Sequence, residues 1–120
     1  MFTFGIICVN SSLPLQDNKK LSVTYRVEAG CLGPDGVNHI AEFCKFAQLA
    51  LQTLDSDFVL WNIVHRNDKT LPETQYKVDG KIMNHYQAEK YLAVFGKSLD
   101  EFEGHLSEEL TTLIHQFRSQ

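Results

Sequence analysis

The spacing of apolar and polar positions changes along the chain, and the changes outline its elements. Phe2, Phe4, Ile6 and Cys8 alternate with Thr3, Gly5, Ile7 and Val9, and this β-branched and aromatic content predicts a strand whose two faces are mostly buried. The polar stretch from Asn10 to Lys20, with Pro14 inside it, reads as a loop. From Leu21 to Glu28 the alternation is clean, with Leu21, Val23, Tyr25 and Val27 inward and Ser22, Thr24, Arg26 and Glu28 outward. That pattern predicts a strand with one wet face.

The period then changes to that of a helix. Ile40, Phe43, Cys44, Ala47, Leu51 and Leu54 recur at three or four residues, and Phe46, Leu49 and Ala50 widen the stripe, so a largely buried helix is expected. The nearly continuous apolar run from Phe58 to Val64, within Asp57 to Arg66, predicts a central strand covered on both faces. After the loop Asn67 to Pro72, Asp79 and Gly80 mark a hairpin turn between Tyr76 to Val78 and Lys81 to Met83. Asn84 with Gln87, and Ser98 with Glu101, have the spacing of capping boxes and open two final helices. The first carries Ala88, Tyr91, Leu92 and Phe95 on its apolar side and stops at Gly96; the second repeats Leu99, Phe102, Leu106, Leu110, Leu113 and Phe117.

The expected order is β-β-α-β-β-β-α-α, an α+β or α/β fold with a mixed β-sheet of about five strands and helices packed on it, the strands flanking the first helix being parallel neighbours or near neighbours. At 120 residues and 43% hydrophobic, the chain suffices for one domain and one core without disulfide support.

Charge and cysteine usage narrow the function classes. Residues 1–54 carry four acids and four bases, residues 55–97 six and six, and residues 98–120 five acids against Arg118, so the net charge of −4 sits on the last segment. The best basic cluster is Lys19 with Lys20, which is no footprint for phosphates, so no nucleic acid partner is expected. Cys8, Cys31 and Cys44 are odd in number and include no Cys-x-x-Cys pair, which argues against a disulfide framework or a cysteine-rich zinc module. No apolar run has the length of a membrane span, and the N-terminus lacks the basic start and small-residue cleavage pattern of a signal peptide. A cytoplasmic protein with no membrane partner and no cofactor is the resulting expectation.

Chemistry concentrates in the turn from Arg26 to Gly36. Gly30, Gly33 and Gly36 offer backbone freedom around Cys31, the following helix start would favour a thiolate, and His39 is the candidate base. Against this, Asp35 is the expected N-cap and places a carboxylate where an anion would sit, and Pro34 removes an N–H. The turn also lacks the residues of a P-loop or a dinucleotide fingerprint. An ordinary strand-to-helix loop, rich in left-handed backbone and holding a semi-buried thiol, is the simpler expectation. The candidate ligand set is Gly30, Cys31, Gly33, Asn62 and His65, because ligands tend to gather beyond the carboxyl ends of parallel strands and Asn62 is expected as a buried amide. Tyr25 and Arg26 are expected near it. The stripe Glu101, His105, Glu109 reads as a solvated helix face, and no metal site is expected.

Three functions compete. The first is a non-catalytic binding or interaction protein, self-associating through the C-terminal helix as a homo-oligomer. The second is a thiol-dependent enzyme or redox sensor built on Cys31. The third is a module that binds a small-molecule ligand between the strand-end loops.

Overall fold

The computed structural model describes residues 15–119. The fold is α+β. Four strands, β1 (Leu21–Val27), β2 (Val59–His65), β3 (Thr74–Val78) and β4 (Lys81–Met83), form a mixed sheet in the order β2-β1-β3-β4. Three helices, α1 (Gly36–Leu51), α2 (His85–Val94) and α3 (Leu99–Arg118), pack on it. The strand expected over Phe2 to Val9 lies outside the described residues. Within them the hairpin and all three helices stand where the apolar pattern placed them. As expected for a crossover through α1, β1 and β2 are parallel neighbours, Leu21 opposite Val59 and Val27 opposite His65.

The core lies on one side of the sheet. By register, Leu21, Val23 and Val27 share a face with Val59, Trp61, Ile63 and Tyr76, and all are buried. Onto this face α1 brings Ile40, Phe43, Ala47 and Leu51, α2 brings Ala88 and Leu92, and α3 brings Leu99, Phe102, Leu106, Leu110 and Leu113. Trp61 stacks on Phe102, and Phe58 stacks on Phe95. Both expected caps are present: Asn84 and Gln87 form a reciprocal capping box, and the Ser98 hydroxyl accepts from the Glu101 N–H. Asp55, in the left-handed region at φ 51°, turns the chain from the end of α1 toward β2, and its carbonyl accepts from Phe58 and Val59.

The other face, carrying Ser22, Thr24, Arg26, Leu60, Asn62, Val64, Gln75 and Lys77, has no covering layer among the described residues. Among the described residues β2 stands last in the sheet, and its alternating buried and exposed positions through Ile63 correct the expectation of a strand covered on both faces. Leu60 and Val64 made the run look doubly buried, but they sit outward, opposite Ser22 and Arg26. Among the described residues, the side of β2 away from β1 is met in its middle by one side chain. Gln48 of α1 donates from Nε2 to the Trp61 carbonyl at 2.8 Å and accepts the Ile63 N–H on Oε1 at 2.9 Å, which imitates a neighbouring strand and blunts the edge against another chain.

Candidate functional site

The glycine-rich turn is built by its own backbone. After β1, Ala29–Leu32 make a single 3-10 turn in which Cys31 N–H donates to Glu28 and Gly33 N–H to Gly30; Gly36 N–H then donates to Gly33. These amides are therefore spent on local carbonyls and offer no hole for an anion. Buried Leu32 anchors the turn to the core. Of its three glycines only Gly33, at φ 95°, uses the left-handed side, so the expected loop rich in that conformation has one such residue. Gly36 is required for another reason, because a Cβ there would fall 1.8 Å from the Ala29 carbonyl oxygen.

Cys31 is exposed, which corrects the expected semi-buried thiol, whereas Cys44 is buried. Burial pushes the Cys44 thiol up, leaving it less thiolate at neutral pH. A short iodoacetamide pulse on the folded protein is accordingly expected to alkylate Cys31 well before Cys44, which peptide mass spectrometry reads directly. Equal labelling of the two would contradict this placement.

The expected ligand set does not assemble. Asn62 is exposed on the open sheet face, its Nδ2 3.4 Å from the Thr24 hydroxyl, rather than buried and aimed at the turn. His65 is half-buried at the end of β2. The space beyond the parallel strand ends is filled by an ion pair, Arg66 Nη1 to Glu28 Oε1 at 2.9 Å, with Lys69 3.9 Å from the same carboxylate. Arg66 also donates to the Leu71 carbonyl, and Arg26 to the Pro72 carbonyl and the Gln75 side chain. Two guanidinium groups thus hold the loop before β3 closed over the strand ends.

Two hollows lie elsewhere, one against β1 and the start of β3 and one against the turn, and α3 contributes to both. One, of about 200 Å³, is lined by Tyr25, Glu73, Thr74, Glu103, Leu106 and Ser107. Beside it the Tyr76 hydroxyl donates to Glu103 Oε2 at 2.6 Å. Burial, followed by the negative charge of Glu73, pushes Tyr25 up to about 12; burial and the bond to Glu103 raise Tyr76 as well. Burial pushes Tyr91, on α2, up to about 12. The fold holds these phenols protonated while the unfolded chain gives up its protons near pH ~10. Their stabilisation is therefore complete below about pH 10 and is lost as the pH rises toward about 12. A phenolate absorbance titration should show Tyr25 and Tyr91 ionising late and together with unfolding, and Tyr25→Phe should make the alkaline loss of stability shallower. An unchanged alkaline slope in Tyr25→Phe would contradict the assignment.

The other hollow, of about 450 Å³, lies between the turn and the end of α3 and is lined by Leu32, Pro34, Asp35, His39, Glu42, Phe117 and Arg118. No family model matches the chain, and no curated protein or solved structure matches it either. Phe117 meets Phe43 edge to face at 5.4 Å and Phe46 at 5.8 Å, which holds the last turn of α3 against α1. Gly33 leaves room for the next side chain: Arg118 Nη2 lies 3.1 Å from where a Cβ on Gly33 would be. Asp35 occupies the N-cap position of α1, but its side chain makes no capping bond. His39 Nδ1 is 3.9 Å from Glu42 Oε1, both exposed. The candidate base His39 thus faces this hollow beside a carboxylate, and no hydrogen bond joins it to Cys31 among the described residues. Arg118 is the residue that sequence reasoning missed. Its one visible signal was that it is the lone base in an otherwise acidic segment.

No helix among the described residues is long and apolar enough to cross a membrane.

Proposed function

We propose that the protein is a non-catalytic binding protein that takes a small molecule in the hollow between the glycine-rich turn and the last turn of α3. The observation that carries this is the seat of Arg118 against Gly33, which sets a guanidinium, an imidazole and two carboxylates around one concave, partly apolar space. A binding role, rather than thiol chemistry, fits a Cys31 whose neighbouring amides are already bonded and a His39 paired with Glu42. The apolar stripe of α3 had pointed to self-association, but its leucines and Phe102 are used inside the chain, so we put the binding surface at the hollow rather than on the helix. The free thiols Cys31 and Cys44 suit a reducing, cytoplasmic setting.

A fragment screen read by amide chemical shifts tests this. Hits are expected to move Gly33, Asp35, His39 and Arg118 together. Hits that gather instead on Thr24, Leu60 and Asn62 would place the binding surface on the open sheet face and contradict the proposal.

A further inference from the structure

The hollow beside Arg118 carries charges of both signs that do not neutralise one another. Arg118 makes no ion pair with Asp35 or Glu42, although all three line the same space. Asp35 has no capping bond to occupy it, and among the described residues Glu42 pairs with His39 alone, one turn before it. Leu32, Pro34 and Phe117 supply an apolar wall between them.

A simple anion entering this space would meet Arg118 favourably and the two carboxylates unfavourably, and a simple cation would meet the reverse. Juxtaposed like charges cost specificity and affinity. A molecule bearing both charges satisfies both sides. We propose that the ligand of this hollow is a zwitterion of the amino-acid type, with its carboxylate on the Arg118 guanidinium, its ammonium on Asp35 and Glu42, and an apolar side chain against Leu32 and Phe117. This rests on the hollow being the ligand site. Arg118 suits the carboxylate because its planar fork can donate two parallel N–H bonds. A hollow of about 450 Å³ falls within the range of small-molecule sites.

Calorimetric titration of the full chain with leucine, isocaproate and isoamylamine separates the charges, since the second lacks the ammonium and the third the carboxylate. Leucine is expected to bind tightest, and loss of either charge to weaken binding by about tenfold or more. In Arg118→Ala, leucine should weaken by about tenfold and its advantage over isoamylamine should disappear, while its advantage over isocaproate remains. Isocaproate or isoamylamine binding as tightly as leucine overturns the zwitterion and leaves the hollow as a site for a singly charged ligand. No heat with any of the three overturns the zwitterion, and the fragment mapping then decides the hollow separately. Leucine binding that neither Arg118→Ala nor Asp35→Asn alters overturns both.

Discussion

Gly36→Ala lowers the stability of the protein by about 3 kcal/mol or more, the largest effect expected of an added Cβ at any glycine among the described residues. A Cβ is fixed by the backbone and has no rotamer to escape into. At Gly36 it would lie 1.8 Å from the Ala29 oxygen, 2.8 Å from the Ala29 carbonyl carbon and 3.2 Å from Leu32 Cβ. Either the turn or the start of α1 must move. The turn is tied to the core through Leu32, and α1 through Ile40 and Phe43, so movement of either disturbs packing beyond the substitution. Gly30→Ala is the control, because nothing lies within 4 Å of its added Cβ, and its effect should stay within about 0.5 kcal/mol. Denaturant unfolding followed by the fluorescence of Trp61, the only tryptophan, measures both. A Gly36→Ala midpoint equal to that of the natural chain would show that the turn does not approach α1 this closely.

Gln48→Leu is expected to cost about 1–3 kcal/mol, although it replaces one amide with an apolar group of similar size. The amide serves the Trp61 carbonyl and the Ile63 N–H at once, and leucine leaves both groups bare. The second consequence is association. With its middle open, the β2 edge becomes a template for another chain, so scattering should rise with protein concentration in the variant and not in the natural protein. Gln48→Glu separates the two bonds. It keeps an acceptor for Ile63 but sets a carboxylate against the Trp61 carbonyl, so it should be unstable near neutral pH. It should recover as the pH falls toward the ordinary glutamate range, about pH 4, where the protonated acid can donate again. A Gln48→Leu variant that matches the natural protein in stability and stays monodisperse would mean that the edge is protected by something else.

The fold was legible where a period was clean. Leu21 to Glu28 alternates in sequence because one face of β1 meets the helices and the other does not, and the α1 and α3 stripes follow from the same physics. The run from Phe58 to Val64 misled for a physical reason: outward Leu60 and Val64 are as apolar as inward Val59, Trp61 and Ile63, so continuity of apolar residues concealed an ordinary alternation. Asn62 reads as buried in the sequence only because it stands inside that apolar run, and it is exposed. The site was half legible. The turn could be read from its glycines, and it borders the larger of the two hollows. The partners of the turn could not be read, since Phe117 and Arg118 lie more than eighty residues from Gly33 and meet it only because α3 crosses the helix layer to Phe43. The Glu28–Arg66 pair was likewise hidden, and it closes the very strand ends where a ligand was expected.

The binding account depends on α3 folding its last turn back onto the glycine-rich turn. A nuclear Overhauser experiment on arginine-labelled protein tests this directly. It should show contacts from the Arg118 side chain to the Gly33 α-protons, together with contacts from the Phe117 ring to Phe43. Arg118 contacts confined to its own helix, with none to Gly33, would contradict the site.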